Sequence, residues 1–326
     1  MSFMIAEMQF IVNQHVLITN KQPQQCLRNL LIQGAEPDPM AVRQKLKLNI
    51  TMKKHTLLLL AVVIITCSKT FAATVDTAII YSYSMKKEIK CVIIKPDTYK
   101  KKQLQFSTVY LLHGYSNCYN TWIKKVPAIK TYADQMQLII ICPDGGYSSW
   151  YFDSPVDSTF KYETYISKEV VQYIDAHYRT MPNRNHRAIT GLSMGGHGSL
   201  YLALKHPDIF GSAGSMSGGV DLMPFPAEWD IAKRIGDPQA YNENWQTMSV
   251  INMIDHYPSQ PLSLMLECGT DDFFYQANYQ LHQKMMKLKI VHDYIERPGK
   301  HTWEYWENAI EYQLLFFKKF FDHQEN

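Results

Sequence analysis

The chain has 326 residues, 46% hydrophobic and 19% charged, with a formal net charge of +3. That length holds one large α/β domain or two small ones, and the balance is that of a globular protein. Residues 1–73 carry eight Lys/Arg against three Asp/Glu, while residues 74–326 carry twenty-five against twenty-seven. The body is therefore slightly acidic, which argues against a nucleic-acid partner.

The N-terminal stretch reads as an export signal from Met52 onward. Met52-Lys53-Lys54-His55 is a short basic start, Leu57 to Thr66 is an apolar run, and Thr70-Phe71-Ala72 offers small residues ahead of a cut. This is the layout of a secretory signal peptide, and the run is too short to span a bilayer comfortably. Cys67 follows Thr66, where a lipidation site carries Gly, Ala or Ser. Residues 1–51 fit poorly ahead of such a signal, so the expectation is a start at Met52, a signal over 52–73, a mature domain over 74–326 and a secreted or periplasmic destination. No stable membrane span is expected after cleavage. Of the six cysteines, Cys91, Cys118, Cys142 and Cys268 lie beyond the signal, with no zinc spacing among them.

The body opens with two strand patterns, Ala78 to Tyr83 and Ile89 to Ile94, suited to an antiparallel edge. Thr108 to Leu112 is a continuous apolar run ending in His113-Gly114 and reads as a buried parallel strand. A polar loop spans Tyr115 to Asn120, and a helix is expected over Val126 to Met136. Leu138 to Cys142 is a second buried strand. Tyr162 to His177 has helical spacing, Arg187 to Thr190 is a short strand, and Ser199 to His206 is a helix stopped by Pro207. Further strands are expected at Gly211 to Ser217, Leu262 to Glu267 and Val291 to Glu296. Helices are expected at Tyr275 to Leu288 and Glu304 to Phe321. Residues 220–260 lack periodicity and carry Pro224, Pro226 and Pro238, as a cap-like insertion facing substrate does. Strands alternating with helices predict a mostly parallel sheet covered on both faces, with ligands at the strands' carboxyl ends.

Gly191-Leu192-Ser193-Met194-Gly195 has the form G-x-S-x-G and lies between a predicted strand and a predicted helix. That is the setting of a nucleophile elbow, in which small residues let the backbone turn sharply and the serine hydroxyl stands at the end of the sheet. An activated serine needs a base, and the base needs an orienting acid, in the order Ser, then Asp or Glu, then His. His301 follows the last strand. Asp271 and Asp272 follow the strand before it, and spacing does not decide between them; Glu267 is a weaker third choice, inside the strand. His197 sits too close to Ser193 on the same turn to reach back. The amide of Met194, next after the serine, and that of Tyr115, in the loop after His113-Gly114, are the candidate oxyanion donors.

Leu111-Leu112-His113-Gly114, the serine motif with Gly196, Cys268-Gly269-Thr270-Asp271-Asp272 and Pro298-Gly299-Lys300-His301-Thr302-Trp303 together resemble the esterase D family. This α/β-hydrolase group includes feruloyl and acetyl xylan esterases, S-formylglutathione hydrolases and mycolyltransferases, and the resemblance covers about residues 80–321. It implies that Ser193, His301 and Asp272 form the catalytic set, with Tyr115 and Met194 as oxyanion donors. Trp150-Tyr151-Phe152-Asp153 resembles the segment that often lines the acyl or sugar side. With Trp303, the candidate substrate residues are then Trp150, Tyr151 and Asp153. Lys300 stands where many members have a small residue, a departure that narrows the expected pocket.

The expected activity is hydrolysis of short acyl or hydroxycinnamoyl esters, the substrate a small molecule or polysaccharide-linked. The alternatives are an acyltransferase or thioesterase on the same fold, or a non-catalytic binding protein. S-formylglutathione is a cytosolic substrate and fits an exported chain poorly. No cofactor or metal is expected, since no G-x-G-x-x-G follows a strand and no His/Cys cluster has ligand spacing.

Overall fold

The computed structural model describes residues 73–324, together with Met40, Arg43, Gln44 and Lys47. The expected signal over 52–73 and the extension over 1–51 lie outside the described residues, but for those four positions and Ala73. The chain divides between Thr70 and Phe71, and the second unit, Phe71–Asn326, holds the sheet and the candidate site.

Strands β1 (Thr74–Ser82), β2 (Lys87–Lys95), β3 (Thr108–Leu112), β4 (Ile139–Pro143), β5 (Arg187–Gly191), β6 (Ser212–Met216), β7 (Ser263–Gly269) and β8 (Asp293–Arg297) form one sheet. Their order is β1-β2-β4-β3-β5-β6-β7-β8. β1 and β2 pair antiparallel, as does β2 with β4; every pairing from β4 to β8 is parallel. β3, β4, β5 and β6 are buried along their whole length, which is why β3 and β4 read as unbroken apolar runs rather than alternating ones. β1, at the edge, alternates between exposed and buried over its second half.

Alternate residues of each strand feed two apolar layers. Tyr110 and Leu112 of β3 join Ile141, Ile189, Tyr165, Tyr201 and Leu202 on one face. Val109 and Leu111 join Ile140, Trp122, Ile310, Leu314 and Phe317 on the other. The second layer is closed by a long C-terminal helix, Trp303–Asp322, whose Ala309, Ile310, Leu314, Phe317 and Phe321 recur at helical spacing along one buried face.

Three expectations are adjusted. The helix expected over Val126 to Met136 is preceded by a separate one, α1 (Thr121–Lys125), and itself begins only at Ile129, as α2 (Ile129–Met136). Pro127 disfavours helical dihedrals at the residue before it, and Val126 sits at φ −125°, ψ 74°. The helix over 162–177, α3, changes pitch: Tyr162–Thr164 and Val171–His177 are α-helical, and Tyr165–Val170 between them is a π turn. The segment over 220–260 forms α5 (Ile231–Ile235), α6 (Asn242–Met248) and α7 (Val250–Met253). Its Leu222, Ile231, Trp245 and Val250 pack in the same apolar layer as Tyr110 and Leu112, so it is built into the domain.

Candidate active site

The carboxyl ends of β3, β5, β7 and β8 meet at one edge of the sheet, and the polar residues singled out in sequence meet there too. Ser193 joins β5 to helix α4 (Met194–Lys205), with φ 55° and ψ −116°. A non-glycine residue avoids that region unless its surroundings hold it there. The surroundings are tight. A Cβ on Gly191 would lie 2.6 Å from the Gly195 carbonyl, and one on Gly195 would lie 2.7 Å from the carbonyl oxygens of Leu112 and His113. Only glycine lets β5, α4 and the end of β3 approach this closely. The Ser193 amide donates to the carbonyl of Met216 at 2.9 Å, which ties the strained turn to β6.

His301 reaches Ser193 from the loop after β8. Its Nε2 lies 2.9 Å from Ser193 Oγ, and its Nδ1 lies 2.8 Å from Asp272 Oδ2 and 3.0 Å from Oδ1. With the proton on Nδ1 donated to the carboxylate, Nε2 is left to accept from the serine hydroxyl. The structure separates the two aspartates. Asp272 is 5% exposed and also accepts the Phe274 amide at 2.8 Å. Asp271 is exposed, and its amide donates to the Gly299 carbonyl. Glu267, the third choice, is fully buried in β7 and pairs with Arg297 of β8 instead.

The loops that carry Asp272 and His301 are laced together. The Thr270 amide donates to the Arg297 carbonyl at 2.9 Å, alongside the Asp271–Gly299 bond. A Cβ on Gly269 would lie 2.4 Å from the Gly299 carbonyl oxygen. The His301 ring is gripped from several sides. Trp306 and Phe274 meet it edge-on at 4.8 and 5.4 Å, and Phe273 lies tilted against it at 4.3 Å.

Among the described residues, no acceptor takes the amides of Met194 or Tyr115. Met194 opens α4, where helix geometry leaves the first N–H groups unpaired. Tyr115 follows Gly114, where a Cβ would lie 2.5 Å from Leu192 Cδ1, so its loop rests directly on the elbow. Its conformation is stapled through His113. Nδ1 of His113 donates to the Gly114 carbonyl at 2.8 Å, and Nε2 accepts the Gly145 amide at 2.8 Å. His113 therefore shapes the loop and takes no place beside Ser193. His197 is buried among Trp150, Phe152 and Tyr201, and bonds the Met248 carbonyl at 2.9 Å. Burial pushes its pKa down to about 4, and it stands apart from the serine.

The expected substrate residues are corrected. Trp150 and Tyr151 are 1% and 0% exposed and belong to the core. The Trp150 indole donates to the Trp229 carbonyl at 3.0 Å, and the Tyr151 hydroxyl donates to the His113 carbonyl at 2.9 Å. Each aromatic body fills the apolar layer while its polar tip holds a loop of the site. Asp153 accepts both the amide and the hydroxyl of Thr164, at 2.9 and 2.6 Å, and so caps the start of α3. Trp303 is half-buried, edge-on to Trp122 at 5.2 Å and at 5.5 Å to the same Trp306 that meets His301. Lys300 is exposed, on a groove of 630 Å³ shared with Asp271, Arg297, Glu304 and Asn308.

The aromatic surface that does face the site was not expected from sequence. Phe273 is 53% exposed and stacks on Trp229, ring centres 5.6 Å apart and 17° from parallel. Tyr147, also exposed, meets Tyr115 edge-on at 4.9 Å. The available signal is Phe273-Phe274 directly after Asp272, an apolar pair in an otherwise polar turn.

Residues 82–317 match the family described as "Putative esterase". Esterase Rv1288 of Mycobacterium tuberculosis is 32% identical over 133 residues, 40% of this chain; the match spans only 29% of that protein. An acetyl esterase of Caldicellulosiruptor saccharolyticus is 24% identical over 249 residues, covering 71% of this chain and 92% of that one. A diacylglycerol acyltransferase/mycolyltransferase of Mycobacterium avium, Ag85B, is 29% identical over 235 residues, 61% of this chain and 70% of that one. Among solved structures, a ferulic acid esterase superposes with TM-score 0.68 at 27% identity, covering 77% of this chain and all of that one. An S-formylglutathione hydrolase of Staphylococcus aureus superposes with TM-score 0.66 at 22% identity, covering 76% and 99%. The fold is that of the α/β-hydrolases, and the chain belongs to the family described as "Putative esterase".

Proposed function

We propose that this protein is an exported serine esterase that cleaves short acyl or hydroxycinnamoyl esters of carbohydrate through an acyl-enzyme. The observation that carries the reading is the unbroken relay from Ser193 Oγ to His301 Nε2 and from His301 Nδ1 to buried Asp272. Ser193 Oγ attacks the ester carbonyl as its proton passes to His301 Nε2. The amides of Met194 and Tyr115 take the developing oxyanion; each donor of this kind is worth about 3 kcal/mol in the transition state. His301 then gives its proton to the leaving alcohol as the C–O bond breaks. Water, deprotonated by His301, repeats the sequence on the acyl-enzyme and releases the carboxylic acid and free Ser193. Asp272 holds the imidazole in the competent tautomer throughout.

The acyl and alcohol classes rest on the similarity to a ferulic acid esterase and an acetyl esterase. Export rests on the Met52–Ala72 pattern. The likeness to Ag85B favours a second reading, in which an alcohol replaces water as the acceptor. Hydrolysis of p-nitrophenyl acetate, p-nitrophenyl butyrate and methyl ferulate by the parent and by Ser193→Ala tests the assignment. The variant should lose on the order of 10⁴-fold or more in kcat. Equal rates in parent and variant would remove Ser193 from the mechanism. Product formed only when an acceptor alcohol is added would favour the transferase. N-terminal sequencing of the native protein tests export, and a chain retaining residues 52–73 would sink it.

A further inference from the structure

Phe273 stands half-exposed beside the base, His301. It is 53% exposed, whereas its neighbour Phe274 is 1% exposed, and its ring centre is 4.3 Å from that of His301. It is held in place from behind. Trp229 stacks on it at 5.6 Å, and Phe225 and Phe274 close the rear of that pair at 5.1–5.2 Å. Trp229 is itself pinned. It sits at φ 49°, followed by Asp230 at φ 59°, and its carbonyl accepts the indole of buried Trp150. Two consecutive residues in left-handed backbone, anchored by a buried tryptophan, make a wall fixed before any ligand arrives.

Its position names the half of the ester that it meets. In acylation the proton that His301 Nε2 takes from Ser193 is handed to the oxygen of the departing alcohol. That oxygen must come within about 3 Å of Nε2. The group attached to it therefore lies along the His301 side of the site, where Phe273 stands. The oxyanion donors come from the opposite side, from the β3 loop and the start of α4.

We propose that Phe273, backed by Trp229, is the ring-stacking wall of the leaving-group subsite, so that the preferred alcohol carries its ester on a ring, sugar or aryl. Both ring types offer a flat apolar face to stack on an aromatic side chain. The inference deepens the esterase reading and rests on it.

The test compares three acetates that share an acyl group: ethyl acetate, phenyl acetate and a mono-acetylated methyl xyloside. The parent and the variants Phe273→Ala, Phe273→Trp and Trp229→Ala are measured on each. Phe273→Ala should lower the ratio of kcat/KM on a ring acetate to that on ethyl acetate by about tenfold, mainly through KM, the scale of one lost stacking contact. Phe273→Trp should restore the ratio, and Trp229→Ala should lower it less than Phe273→Ala does. A fall on the xyloside alone identifies a sugar alcohol, and a fall on phenyl acetate alone an aryl one. If Phe273→Ala lowers all three rates in proportion, or none, the wall has no part in choosing the alcohol, while the esterase reading stands. A parent inactive on all three acetates and on the p-nitrophenyl esters removes the esterase reading, and this inference with it.

Discussion

The hydroxyl of Tyr151 donates to the carbonyl of His113 at 2.9 Å, from a ring with no exposure to solvent. That bond fixes the last peptide before the Gly114-Tyr115 turn, whose next amide is the candidate oxyanion donor. Tyr151→Phe keeps the ring in the core and removes only this bond. The expected result is a fall in kcat of about tenfold on p-nitrophenyl acetate with little change in KM. That is less than the roughly 10²- to 10³-fold loss seen when a donor is removed outright. Stability should fall by about 1–3 kcal/mol, because a buried carbonyl loses its partner. Steady-state kinetics with a urea melt read both quantities, and a kcat equal to that of the parent would detach Tyr151 from the oxyanion loop.

Asp272 and Asp271 are adjacent in sequence and opposite in setting. Asp272 faces His301 Nδ1 from a buried position, and Asp271 faces solvent. Asp272→Asn should lower kcat by about 10⁴-fold, since an amide that donates to Nδ1 selects the wrong imidazole tautomer. Asp271→Asn should stay within about threefold of the parent, as surface substitutions commonly do. The same esterase assay decides it, and a reversal of the two effects would move the acid to Asp271.

Glu267 of β7 and Arg297 of β8 pair beneath the two loops that carry Asp272 and His301. The side-chain amide of Gln313 also approaches Glu267, at 3.5 Å, and Thr190 of β5 donates to the Gln313 carbonyl oxygen at 3.0 Å. Glu267→Ala leaves Arg297 without its buried partner. It should destabilise the fold by about 3 kcal/mol. Denaturant melts check it; a midpoint unchanged from the parent would show that the pair is dispensable.

His197 contributes to the pH dependence of stability. Burial lowers its pKa to about 4 in the folded protein, from an ordinary 6.5. The unfolded chain therefore binds a proton that the folded chain refuses between those two values, and stability rises with pH across that window. The contribution is complete above about pH 6.5 and is lost as pH falls toward 4. His197→Phe, which fills the space without a titrating group, should flatten that part of the profile. Thermal midpoints from pH 4 to 7 on both proteins read the difference, and parallel curves would mean that the slope has another source.

Much of the site was legible because its parts are local. G-x-S-x-G between a strand run and a helix run states the elbow within eight residues, since only glycine tolerates the crowding around Ser193. The apolar runs at Thr108–Leu112 and Leu138–Cys142 stated the buried parallel strands, since strands covered on both faces have no polar side to show. Chain order placed His301 last in the set, and the family resemblance chose Asp272 over Asp271.

The tertiary structure decided what local pattern does not encode. Trp150 and Tyr151 carry the same chemistry whether they face a ligand or the core, and only the packing of α4 and the 220–260 segment over them shows that they are pillars with polar tips turned to Trp229 and His113. Phe273 is the converse, an aromatic residue in an unremarkable turn that becomes a wall because Trp229, 44 positions earlier in the chain, is folded behind it. Glu267 reads as a possible catalytic acid until Arg297 arrives from the neighbouring strand. Residue type, glycine placement and apolar periodicity are properties of the chain; which face of a side chain meets solvent, and which charge it meets, is set by elements far apart in sequence, and that choice only the folded arrangement makes.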